Sequence, residues 1–79
     1  MSLAWYTRVM VADLLDKGYC TQTIVPLNRW GEPEPYHRAE QRARSRVQNA
    51  ARRAGVKITT KKARNSDAPY AFIVGTVVE

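Results

Sequence analysis

The sequence is short of cysteine, histidine, acidic residues and long apolar runs, and each shortage removes a class of protein. One cysteine, Cys20, and one histidine, His37, can make neither an internal disulfide nor the four-ligand set of a structural zinc site. Disulfide-stapled secreted scaffolds are thereby excluded. No apolar run approaches the roughly 20 residues that a membrane-spanning helix needs. The N-terminus lacks a basic segment leading into an apolar one, so no secretory signal is expected and the expected location is cytoplasmic. A Gly-rich phosphate loop and a metal motif are both missing, and nothing in the spacing of Cys20 and His37 suggests a nucleophile with its base. His37 reads as a helix-start side chain and Cys20 as a small buried one. Neither an enzyme nor a bound cofactor is expected.

What remains is 79 residues, enough for a single domain over residues 1–79 that buries only about 60% of the surface its unfolded chain exposes. The hydrophobic fraction of 44% is ordinary for a globular domain, so the chain is expected to fold. Its charge is less ordinary. Thirteen Lys and Arg stand against seven Asp and Glu, a net charge of +6, which favours polyanionic partners. The excess is local: between His37 and Arg64 there are ten cations and one anion, Glu40, whereas the remainder carries −3. Segregation of this kind marks a binding face rather than general solubility.

Residues 3 to 17 read as a helix, with Ser2 as cap, Tyr6, Val9, Met10 and Leu14 at helical spacing and Gly18 after its end. Residues 19 to 27 are rich in Thr, Ile and Val and suggest a short strand, at a sheet edge because of Pro26. Two prolines and a glycine make residues 28 to 35 a loop that ends in a helix start, with Pro35 in the first turn. A long helix then runs to Ala54 and stops at Gly55. Glu32 and Glu34 near its beginning, and Arg52 and Arg53 near its end, suit its macrodipole. From Val56 the period becomes two: Val56, Ile58 and Thr60 alternate with Lys57, Thr59 and Lys61. Residues 62 to 69 form a turn-rich connection, and residues 70 to 78, apolar on both sides, should be the best buried strand. The expected fold class is a small α+β domain with the order helix, short strand, long basic helix, β-hairpin.

At about 100° per residue, Ala39, Ala43, Val47, Ala50 and Ala54 share one side of the long helix. This narrow stripe of small residues should rest on the strands, leaving the first helix to supply most of the core volume. The opposite arc holds Gln48, Gln41, Arg52, Ser45, Arg38, Asn49, Arg42, Arg53 and Arg46, uninterrupted by any acid or apolar group. Arg can donate a pair of hydrogen bonds to guanine, Asn or Gln can pair with adenine, and a helix fits the major groove. An ordinary solvated helix face would instead mix its charges, and Glu40 with Arg44 is the one i,i+4 acid-to-base pair here.

A helix followed by a two-stranded hairpin with a cationic tip resembles the last part of a winged-helix domain. The likeness covers about residues 35–78, the expected binding half, and rests on element order. The loop of residues 28 to 35 leaves little room for the helix that normally precedes the turn. The resemblance implies that Arg38, Arg42, Ser45, Arg46, Asn49 and Arg53 face a groove, while Lys57, Lys61, Lys62 and Arg64 contact phosphates. The expected function is that of a small basic DNA-binding protein, a bacterial or phage transcription regulator acting on double-stranded DNA, where palindromic sites would reward a homodimer. Two alternatives stay open: an adaptor or inhibitor that holds an acidic protein, and an RNA- or ribosome-binding protein. Trp30 and Tyr36 could stack on unpaired bases, although packing is favoured for at least one of them. Trp5 is expected in the core or at an oligomer contact.

Overall fold

A computed structural model describes residues 4–78. The elements follow the order α1 (Trp5–Lys17), β1 (Tyr19–Thr23), α2 (Tyr36–Ala54), β2 (Ile58–Ala63) and β3 (Phe72–Val77). The three strands form one antiparallel sheet in the order β1-β3-β2, so β3 is central and β1 lies at an edge. Both helices cover the same face of this sheet, a two-layer slab only 18 Å across its thinnest direction. Among the described residues no helix is long and apolar enough to cross a membrane.

Each helix ends where a glycine takes the left-handed conformation. Gly18 (φ 81°) donates its N–H to the Leu14 carbonyl, and Gly55 (φ 73°) to that of Arg52. The Val56 N–H then reaches the Ala51 carbonyl at 3.1 Å, so the last carbonyls of α2 are satisfied by a Schellman arrangement. At its start α2 has Pro35 as cap residue, with no side-chain cap and no acid in its first turn. Glu34 is instead drawn into an ion pair with Arg42. The cap assigned to Ser2, and Leu3 at the start of the expected first helix, lie outside the described residues.

The first strand is shorter than its sequence suggests. It stops at Thr23 because residues 24–35 fold back on themselves: Leu27 and Pro33 form an isolated bridge, the Asn28 N–H bonds to the Glu32 carbonyl at 2.8 Å, and that of Glu34 to Pro26 at 3.1 Å. No helix forms between β1 and α2, so a complete helix-turn-helix is absent from the described residues. The second strand, in contrast, runs further than expected, through Lys62 to Ala63.

The core comprises Met10 and Leu14 from α1, Cys20, Ile24, Ala71 and Ile73 from the sheet and its margins, and Ala39, Ala43, Val47, Ala50 and Ala51 from α2. Its largest fully buried side chains are Ile24, Ile73, Val47 and Cys20. Met10 and Leu14 of α1, at 3% and 2% exposure, are larger than Val47 or Cys20, so the core volume comes from α1, the sheet and its margins together. Trp5 is 71% exposed and so lies outside the core, which leaves the oligomer contact that the sequence also allowed for it. The alanine stripe of α2 does lie against the sheet, and Gly75 of β3 is what lets it settle. A Cβ there would collide with Val47 Cγ1 and stand 3.0 Å from Ile58 Cδ1. Because Gly75 has no positive φ, its need for glycine is steric.

Gly75→Ala should therefore cost about 1–3 kcal/mol by overpacking. Adding Val47→Ala clears the colliding methyl, so the double variant should lose less stability than the two single losses together. Urea midpoints of the four proteins measure this, and strict additivity would contradict the steric account.

Candidate functional site

The outward side of α2 carries Arg38, Gln41, Ser45, Gln48, Asn49, Arg52 and Arg53, all exposed. None of them has a side-chain hydrogen bond or an ion pair among the described residues. They are left outside by elimination: alanines and Val47 occupy the inner side, and the two flanks are tied down by other residues.

On the flank toward the loop, the Arg42 Nη2 group donates to the carbonyls of Val25 and Leu27, both at 3.0 Å, and pairs with the Glu34 carboxylate. Arg42 is therefore a brace and not the groove-facing residue that its place on the helical arc suggested. Its guanidinium stands in for secondary structure, gathering two carbonyls and a carboxylate from a segment with no helix of its own. Further along the same flank, the Arg46 guanidinium lies 4.5 Å from the centre of the Tyr6 ring. This cation–π contact ties α2 to α1 and half-covers a second expected groove residue.

The flank toward β2 holds a second brace. Arg44 donates from Nη1 to Thr60 Oγ1 at 2.9 Å and approaches Glu40 at 3.5 Å. Lys62 reaches Glu40 at 3.2 Å and lies 5.4 Å from the Tyr36 ring centre. Lys62 was expected as a phosphate contact in a loop. It belongs to β2, on the same side as Ile58 and Thr60 and so toward α2, and is committed to Glu40. Hydrogen bonding from Arg42 first, then the charges of Arg42 and Arg38, hold the Glu34 carboxyl below its ordinary range against an opposing effect of burial. Glu40 is lowered in the same way, chiefly by hydrogen bonding from Lys62.

The remaining expected residues do not form one surface. Arg38, Ser45, Asn49 and Arg53 are together on α2. Lys61 alternates with Thr60 and Lys62 and thus points from the opposite face of the sheet, and Lys57 follows the same alternation. Arg64 follows the end of β2. Since Lys62 meets Tyr36 and Glu40, that end of the hairpin lies beside the first turns of α2. The loop reaches the other side of the same half-helix through Arg42.

At the tip of that loop the Asn28 side-chain oxygen accepts N–H bonds from Trp30 (2.8 Å) and Glu32 (3.0 Å), and Gly31 adopts φ 77°. This Asx-type turn fixes the backbone while the Trp30 ring is 74% exposed, with the Arg29 guanidinium 5.5 Å from its centre. Tyr36, 44% exposed, is the better packed of the two aromatics. Gln41, Gln48 and Arg52 complete the outward row but were absent from the expected site set. The same helical arc already contained all three. Cys20 is buried, and burial, reinforced by the nearby Asp13 charge, pushes its thiol up. His37 is exposed on the first turn of α2.

A carboxyl lowered by folding contributes stability that is fully present above its ordinary pKa and is lost as pH falls through the lower folded value. The stability gap between the protein and a Glu34→Gln variant should thus be widest near neutrality and close as pH falls through the lowered folded pKa. Urea midpoints against pH measure it; a gap independent of pH would show that the Glu34 charge is not what matters. No known protein family, no characterised protein and no solved structure matches this chain, so its function has to be argued from the residues of this face.

Proposed function

We propose that this chain binds double-stranded DNA through the outward side of α2, as a transcription regulator of bacterial or phage type. The observation that carries the proposal is the composition of that side: Arg38, Gln41, Ser45, Gln48, Asn49, Arg52 and Arg53, with no acid among them. Guanidinium and amide groups are the side chains that recognise base edges in pairs of hydrogen bonds, and serine and arginine also hold phosphate. A 19-residue helix is about 28 Å long and of a width the major groove admits. The element order, a long helix followed by a hairpin, agrees with a winged-helix-like arrangement in which the wing meets the backbone beside the helix. Arg64 and Asn65 follow β2 at the end beside the first turns of α2, which suits that role.

Arg42 and Lys62 are assigned to bracing, so substitution there should act through the fold. Arg38→Ala or Arg52→Ala should leave the urea midpoint nearly unchanged while weakening binding. Each phosphate contact removed should lower the slope of log affinity against log salt by about 1. Loss of affinity for one sequence with no change in salt slope would instead assign that residue to base contact.

The exposed Trp30 ring on its fixed turn favours a second reading, stacking on an unpaired base in RNA. Mobility shifts with duplex DNA and with single-stranded RNA, each at two salt concentrations, separate the two. Preference for the duplex with steep salt dependence supports the first. Stronger retention by RNA, with Trp30 fluorescence quenched in a Trp5→Phe background, supports the second. Retention by neither excludes both and leaves an acidic protein as the partner.

A further inference from the structure

Both helices lie on one face of the sheet, so the other face has no layer over it. A sheet face left to water normally turns polar side chains outward. Alternation here turns Tyr19 of β1 and Phe72 and Val74 of β3 to that side, together with Lys61 of β2. Thr21, Thr23, Thr59 and Thr76 fill most of the rest. Tyr19 is 47% exposed, whereas Phe72 and Val74 are half-buried between their strand neighbours. At one end the connection from β2 to β3 stands beside the face and encloses a hollow of about 450 Å³, lined by Tyr70, Phe72, Thr23 and Asn65 among others. Tyr70, 40% exposed, brings a third ring to this side.

Rings and charges are sorted across the face. Tyr19 pairs with Thr76 and Thr23 with Phe72, so the Tyr19 and Phe72 rows are about 14 Å apart along the strands. Lys61 stands opposite Val74, in the row between them. Lys57 follows the same alternation beside Val78, whose N–H reaches the Lys57 carbonyl at 3.0 Å. The aromatic side is thus β1 and β3, and the cationic side is β2. Both lysines are exposed and neither has an ion-pair partner among the described residues. No acid belongs to the face among those residues; Asp67 is in the connection that follows β2. A second copy, or an apolar protein layer, would bury the two ammonium groups without counter-charge. Duplex DNA keeps its bases stacked on one another and offers no ring face to Tyr19 or Phe72. An unpaired strand offers flat bases to the rings, phosphates to the lysines and base edges to the threonine hydroxyls and the Asn65 amide.

We propose that the open face of the sheet binds single-stranded nucleic acid, with bases stacked on Tyr19, Phe72 and Tyr70 and phosphates along Lys57 and Lys61. The face lies across the slab from the outward row of α2, and the proposal stands whether or not that row binds a duplex. Labelled oligothymidylate and oligouridylate, titrated with the protein and followed by fluorescence anisotropy, should both give saturable binding. The tighter of the two shows whether DNA or RNA is preferred. Tyr19→Thr and Tyr70→Ser, both at exposed positions, should each weaken that binding about fivefold or more. Lys61→Ala should lower the slope of log affinity against log salt by about 0.7, the value for one phosphate of a single strand. Arg52→Ala and Trp30→Ala should leave single-strand affinity near that of the wild type. Circular dichroism checks that each variant is folded. The proposal is overturned by a protein that holds neither strand up to about 0.1 mM at low salt, or by folded tyrosine variants that both bind as the wild type does. An equal loss in Arg52→Ala or Trp30→Ala also overturns it, by moving the strand to α2 or to the loop. Duplex binding measured alongside reports on α2: its absence ends the duplex reading and leaves this one standing.

Discussion

Val47 of α2 lies over Gly75 of β3 so closely that even a methyl group on the strand would collide with it, and this approach governs what α2 carries on every side. A helix that sits so low on a sheet can present only small residues inward, hence Ala39, Ala43, Ala50 and Ala51 around a single valine. Small inward residues bury little area apiece, so the rest of the packing must come from Met10 and Leu14 of α1 and from Ile24 and Ile73. The low seat also brings the flanks of the helix within reach of the loop on one side and of β2 on the other. Arginine and lysine have the length to use that reach, and Arg42, Arg44 and Lys62 do so.

The basic helix is consequently divided into cations that build the domain and cations that face outward. Ion pairs as exposed as these contribute little stability in water, and their larger effect is positional. Arg42 fixes a loop that has no helix, and α2 is joined to β2 by Glu40 through Lys62 and by Arg44 through Thr60. They have an electrostatic consequence as well. Glu40, the one acid between His37 and Arg64, is taken up by Arg44 and Lys62, and Glu34 by Arg42. The acids nearest α2 are thereby neutralised on its flanks, and the outward row is left without internal counter-charge.

Much of this was legible from sequence where the signal is local. The two glycines that stop the helices, the change of period after Gly55 and the burial of the last strand on both sides follow from backbone preference and alternation. The charge segregation and the polar arc were equally visible. The partners of Arg42 were not, because it binds carbonyls 17 and 15 residues away, and a carbonyl has no signature in sequence. Glu34 was misassigned for a related reason: an acid just before a helix suits its dipole, and only the fold shows a guanidinium closer at hand. Lys62 is different, since alternation from Ile58 and Thr60 already places it toward the helix. Its misreading came from ending the strand too early. The outer stripe of α1 was open to the same wheel applied to α2, which sets Trp5, Val9, Ala12 and Leu15 opposite Met10 and Leu14.

Two unpartnered surfaces, the polar row of α2 and the outer side of α1 with Trp5, Val9 and Leu15 exposed, belong to helices joined through Arg46 and Tyr6 and through the core. They demand different things of a partner. A row of guanidinium and amide groups is well solvated and costs nothing to leave in water. A stripe containing a tryptophan, a valine and a leucine costs free energy in proportion to its exposed apolar area. Leaving the outer side of α1 in water therefore costs the chain free energy that leaving the α2 row there does not.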